Sequence, residues 1–180
     1  MEDRLKQVFG RTDTFLDFHS VIDGFRDVGL IGLIEYNREY NENEGTSISA
    51  FEEQLNFIRN YLSHKSASHE LIYGWGHLYF LAKKNKTGGV NELLAEYQVP
   101  IESREGGRKL GLILGFPECC VKAHYNGEDI GKRGFNVLPF ASCKPSCEKP
   151  WREEYARLAN LYGVDITKEH LNNNINALNI

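Results

Sequence analysis

Apolar residues recur along this chain at steps of three and four, and that spacing predicts a mainly helical protein. Leu5, Val8 and Phe9 form one short stripe. Phe15, His19 and Ile22 form another, with Thr12 or Asp13 placed to cap its helix. Ile48, Phe51, Leu55, Ile58 and Leu62 make the most regular stripe. They predict a helix ending near His64, with Ser49 and Glu52 in a capping-box relation. Val90, Leu93, Leu94 and Tyr97 predict a shorter helix that stops before Pro100. Leu110, Ile113 and Leu114 close another, which Gly115 breaks, and Pro117 suits the first position of the next. Trp151, Tyr155, Leu158 and Tyr162 predict a helix opened by Pro150 and ended by Gly163.

Two stretches resist the helical period. Gly24, Gly29 and Gly32 punctuate an apolar run whose type is ambiguous between strand and helix. Residues 71–85 fit either two short strands or a glycine-broken helix, followed by a turn from Lys83 to Gly89. Residues 37–46 read as a polar loop. Thr167 can open a last helix with Leu171, Ile175 and Leu178, its asparagine-rich end fraying. The expected fold is therefore mainly α, or α+β with one small sheet, with a cysteine-bearing loop between two helices. Residues 1–100 read as a helical N-terminal region. Residues 101–180 hold the cysteine motif and the C-terminal helices. The two parts pack as one domain or stand apart.

Composition narrows the function classes. A chain of 180 residues can bury a full core without disulfide staples. A net charge of −4 argues against a general nucleic-acid binder. No apolar run approaches the roughly 20 residues of a membrane span, and no signal-peptide core precedes the first helix. A cytoplasmic location is expected, where four cysteines read as thiols or metal ligands.

All four cysteines fall within residues 119–147. The surrounding segment 103–152 carries nine cations against five anions, +4, which leaves −8 for the rest of the chain. Cys119 and Cys120 are expected in the first turn of a helix, where free backbone N–H groups favour a thiolate. Cys143 and Cys147 lie just ahead of the helix expected at Pro150. Zinc sites use cysteines two to four residues apart, which suits Cys143 and Cys147. Adjacent helical residues point about 100° apart. That divergence favours a large cluster over a single ion for Cys119 and Cys120. A four-iron cluster takes one thiolate per iron, and its negative charge suits the basic segment. The leading expectation is an iron–sulfur cluster (4Fe-4S) on Cys119, Cys120, Cys143 and Cys147, structural or acting on a small anionic substrate. The alternatives are a zinc-stabilised binding module, a thiol/disulfide redox protein and a metal-free interaction domain.

The string Gly111-Leu112-Ile113-Leu114-Gly115-Phe116-Pro117-Glu118-Cys119-Cys120-Val121 resembles the hallmark of the uncharacterised prokaryotic DUF-483 family, a Leu-Gly-Tyr-Pro-x-Cys-Cys core. The resemblance covers about a quarter of the chain. Phe116 stands where that core has tyrosine, so a role for its hydroxyl is missing here. The resemblance implies no activity. It implies that the two cysteine pairs belong to one site.

Other residues carry weaker chemistry. Arg104, Arg108 and Lys109 can orient an anionic substrate, arginine by its bidentate fork. Glu118 can act as acid or base, or simply complement a helix N-terminus. His124, four residues after Cys120, can join a zinc site or tune a thiol, or can be a plain surface histidine. Tyr73-Gly74-Trp75-Gly76-His77 can line a pocket or belong to a core hairpin. Gly106-Gly107 lacks the lysine and strand of a phosphate loop, and neither a HExxH nor a GxSxG pattern occurs.

Overall fold

The computed structural model describes residues 1–9, 12–33, 48–76, 78–126 and 142–166. Helices α1 (Glu2–Phe9) and α2 (Thr12–Ile22) precede strand β1 (Val28–Gly32). Helix α3 (Ile48–Lys65) leads into strands β2 (His69–Trp75) and β3 (Leu78–Lys83). Four helices follow: α4 (Thr87–Glu96), α5 (Arg104–Ile113), α6 (Glu118–Tyr125) and α7 (Pro145–Tyr162). The fold is mainly helical α+β with one small sheet, as the apolar spacing predicts. No helix among the described residues is long and apolar enough to cross a membrane.

The sheet is antiparallel, in the order β1-β3-β2. Central β3 alternates between two apolar layers, because successive strand residues face opposite sides. Tyr79 and Leu81 join a core with α1, α2, α3 and α7, built from residues such as Leu5, Phe15, Ile58, Tyr155 and Leu158. Phe80 and Ala82 join a second core with Val90 and Leu93 of α4, Leu110 of α5 and Leu114 at the end of that helix. Both faces are covered, which explains why this strand reads as a continuous apolar run. Gly29 lets α2 lie against β1, since a Cβ there would stand 2.8 Å from the Val21 side chain.

A buried polar group ties α2 to α7. Arg26 donates to Asp17 at 2.6 Å and to the Ser20 hydroxyl at 2.7 Å. Tyr155 donates its hydroxyl to the same Asp17 carboxylate. The Arg26 guanidinium also lies 5.4 Å from the Trp151 ring centre.

Several sequence expectations change. The ambiguous run at Gly29 is a strand, and residues 71–85 take the two-strand alternative. Lys83–Gly89 is not a simple turn. A 3-10 turn over Lys84–Lys86 runs straight into α4, so Gly88 and Gly89 are helical. Helix α3 starts at Ile48 and includes Ser49. Pro117 is the N-cap of α6 rather than its first residue. Helix α7 starts at Pro145, with Pro150 inside it. A proline is tolerated in the first turn because its missing N–H would be unpaired anyway, and Pro145 takes that place. Gly163 ends α7 in the left-handed conformation, as expected. The polar loop 37–46, the last helix from Thr167, His77 and the span 127–141 lie outside the described residues.

Candidate metal site

The site begins with the corner between α5 and α6. Gly115 has φ +80°, a conformation that costs glycine nothing. Its N–H donates to the Leu112 carbonyl and the Phe116 N–H to that of Gly111, a Schellman closure of α5. The chain then reverses. Arg104 donates to Asn126 at 3.2 Å, and Gly111 faces Val121, so α5 and α6 run antiparallel. Gly107 and Gly111, one turn apart, let the two helices meet closely. A Cβ on Gly107 would overlap the Tyr125 ring, 2.6 Å from its Cζ. The Leu-Gly-Phe-Pro string is thus a helix stop, an apolar anchor and a helix start.

Phe116 is that anchor. Its ring packs on Trp151 of α7 with centroids 5.7 Å apart. The contact needs no hydroxyl. It brings the first turn of α6, with Cys119 and Cys120, against the first turn of α7, with Cys147. The turn ahead of α7 supplies Cys143. Ser142 donates its hydroxyl to buried Glu148 at 3.0 Å, and Glu148 also pairs with Arg152 one turn on. That clamp fixes Cys143 relative to Cys147.

Four sulfurs converge as a result. Cys119 Sγ lies 3.4 Å from Cys147 Sγ, Cys120 Sγ 3.5 Å from Cys143 Sγ, and Cys143 Sγ 3.9 Å from Cys147 Sγ. All four lie within 4.8 Å of one another, a grouping able to hold a metal. The Cys143 backbone N–H donates to Cys120 Sγ at 3.3 Å. Adjacent Cys119 and Cys120 do reach a common point. Their Cα atoms are only about 3.8 Å apart, and side-chain rotation closes the angle between them.

Crowding and burial set the thiol chemistry. Hydrogen bonds from the Cys147 and Cys143 thiols hold exposed Cys119 below the ordinary thiol range, with Lys144 adding to the effect. Burial pushes Cys120 up. Burial and the Cys119 thiol push Cys147 up. Four like groups cannot all ionise at this spacing without a cation among them.

A scan against protein-family models, a search of curated proteins and a search of solved structures each found no match to this chain.

The metal-capable group consists of the four cysteines, and the remaining described sequence candidates make other contacts. His124 is exposed on α6, its ring against Tyr125. Glu118 pairs with Lys122 at 2.7 Å, and that contact, with Arg108 nearby, keeps its carboxyl below the usual range. Arg108 pairs with Glu105 on its own helix at 3.6 Å. Lys109 turns to α4, where it pairs with Glu96 at 2.7 Å. Arg104 is held at Asn126. Tyr73 and Trp75 belong to the hairpin, packed on Tyr79 and Phe80. Sequence reasoning missed Ser142 and Glu148. The i, i+4 spacing of Glu148 and Arg152 was the available signal.

Proposed function

We propose that Cys119, Cys120, Cys143 and Cys147 hold one zinc ion, and that the protein is a zinc-stabilised binding module. The sulfur spacing carries this reading. With Zn–S bonds of about 2.3 Å, a regular tetrahedron has S···S edges of about 3.8 Å. The contacts of 3.4, 3.5 and 3.9 Å lie close to that edge. A four-iron cluster seats each thiolate on a separate corner iron and spaces the sulfurs at roughly 6 Å. The cluster anticipated from the sequence would require this set to open. A tetrahedral thiolate set suits zinc, a borderline-soft ion without geometric demands of its own.

Four protein ligands complete zinc's shell and leave no position for substrate, the mark of a structural site. The ion would join the first turns of α6 and α7 and close the span between Asn126 and Ser142. The resemblance to the DUF-483 family fits this reading, since it groups the same two cysteine pairs. On this proposal the module's role is to present a surface, and the chemistry of the sulfurs holds that surface together.

The test is anaerobic purification followed by analysis of zinc, iron and sulfide per chain, with a visible spectrum. One zinc and a colourless protein are expected. Replacing any one cysteine by serine should then lower zinc content, because the four ligands share one ion. About four irons with sulfide and a broad band near ~400 nm would overturn the zinc reading in favour of a cluster. A metal-free protein would overturn both.

A further inference from the structure

The four sulfurs differ in access. Cys119 is exposed, Cys143 and Cys147 are half-buried, and Cys120 is 2% exposed. They differ in hydrogen bonding too. Cys120 accepts the Cys143 N–H. An N–H···S bond draws charge from a metal-bound thiolate and dulls it as a nucleophile. Exposure therefore singles out Cys119, and the N–H···S bond shields Cys120.

Resting on the zinc reading, we propose that Cys119 is the oxidation site of the centre, where a hydroperoxide is reduced, a Cys119–Cys147 disulfide forms and zinc is released. With all four sulfurs bound as thiolates, access decides which of them a peroxide oxidises first. The Cys119 sulfur attacks the distal oxygen of the hydroperoxide. An S–O bond forms, the O–O bond breaks, and the departing oxygen takes a proton from water. The product is a sulfenic acid on Cys119.

The nearest sulfur recorded against Cys119 supplies the second step. Cys147 Sγ stands 3.4 Å from Cys119 Sγ on another helix. Cys120 is adjacent in sequence, but a disulfide between neighbours closes a small strained ring that a helical peptide does not accommodate. Cys147 sulfur attacks Cys119 sulfur, the S–S bond forms and the S–O bond breaks, its oxygen leaving as water after protonation. With hydrogen peroxide, two thiolates lose two electrons in all. The oxidant gains both, takes up two protons and leaves as two waters. Two sulfurs are then lost to the metal, and Cys120 and Cys143 alone do not complete a zinc shell. A second hydroperoxide closes that pair, whose sulfurs lie 3.5 Å apart. Either disulfide links α6 to the start of α7, so the metal leaves while the corner stays joined.

The experiment uses zinc-loaded full-length protein and one equivalent of hydrogen peroxide. Zinc release is followed with a colorimetric chelator, and disulfides are mapped by thiol trapping and peptide mass spectrometry. The Cys119–Cys147 disulfide should appear first, in step with zinc release. Cys119→His keeps a zinc ligand and removes the attacked sulfur, and it should slow release about tenfold or more. The inference is overturned if Cys120–Cys143 forms first, if zinc stays bound through oxidation, or if Cys119→His releases zinc as fast as wild type. In those cases bound zinc still upholds the metal site. Protein that takes up no zinc overturns both readings, so the two failures are distinct.

Discussion

The rings of Phe116 and Trp151 meet with centroids 5.7 Å apart and planes tilted by 63°. Phe116 stands three residues before Cys119, and Trp151 four after Cys147. One apolar contact between the α5–α6 corner and α7 thereby sets the distance between two cysteine-bearing helix starts. Trp151 also meets Phe25, Tyr155 and the Arg26 guanidinium, which ties the same contact into the main core.

Trp151→Ala should therefore act on stability and on the site together. Trp151 is 5% exposed, and removing a buried tryptophan side chain costs about 3–5 kcal/mol. Urea unfolding of the metal-loaded protein measures that loss. Zinc competition with a chelator of known affinity should show binding weakened about tenfold, the scale on which supporting residues act on metal sites. Full affinity in a destabilised Trp151→Ala protein would show that the cysteines are positioned independently of the aromatic contact.

Glycine substitutions should split by environment. Gly107→Ala gains about 1 kcal/mol of helix propensity. It also drives a methyl into the Tyr125 ring, 2.6 Å from Cζ, and such overpacking costs about 1–3 kcal/mol. The Tyr125 side chain is half-buried against α5 and must shift to admit the methyl, so the variant should be less stable than wild type. Adding Tyr125→Ala should recover part of the loss. Gly88 is also helical, but nothing lies within 4 Å of its Cβ position. Gly88→Ala should raise stability by about 0.5–1 kcal/mol. Denaturant midpoints of the three variants decide the matter, and a stabilised Gly107→Ala would refute the close helix approach.

The sequence revealed what is local. The stripe Trp151, Tyr155, Leu158 places a helix because its residues share one face whatever packs on it. The cysteine group was visible because glycine and proline beside it mark helix ends. Gly88 and Gly89 hid the start of α4, since each opposes helix by about 1 kcal/mol and only burial of Val90 and Leu93 on Phe80 and Ala82 outweighs it. Pro145 and Pro150 both qualify as helix openers, and the Ser142–Glu148 contact that fixes the turn before α7 leaves no periodic trace. The common reach of Cys119 and Cys120 depends on side-chain rotation, which spacing does not encode. Asp17 and Tyr155 are 138 residues apart, and no local pattern announces such a pair.

That long-range group makes its own prediction. Arg26 is 6% exposed, and its charge is answered by Asp17. Asp17→Ala leaves a buried guanidinium without its carboxylate and Tyr155 without its acceptor. Breaking one side of such a pair costs about 3–5 kcal/mol. Asp17→Ala with Arg26→Met should be less damaging than Asp17→Ala alone, since the uncompensated charge is gone. Thermal unfolding of the single and double variants measures the difference. A double variant no better than the single one would show that Arg26 reaches water when Asp17 is lost.

His19 predicts how stability depends on acidity. It is fully buried beneath Tyr162, Phe15 and Phe18, with ring centres 3.9, 4.5 and 5.4 Å away. Glu2 Oε2 lies 3.2 Å from its Nε2 but makes no hydrogen bond with it, while Tyr61 donates to the other Glu2 oxygen. Burial holds His19 down at about 4, against an ordinary value of 6.5, with Asp23 pulling it up and Lys6 pushing it down. The folded protein thus refuses a proton that the unfolded chain accepts between these values. The stabilising effect is complete above pH 6.5 and is lost as the pH falls toward 4, by about 3 kcal/mol across the full window. Acid also strips zinc from thiolates in this range. The measurement is therefore the urea midpoint of wild type and His19→Phe at matched pH, both free of metal. Wild type should lose stability faster than His19→Phe from pH 6.5 downward, and parallel curves would mean that His19 takes up its proton without leaving the core.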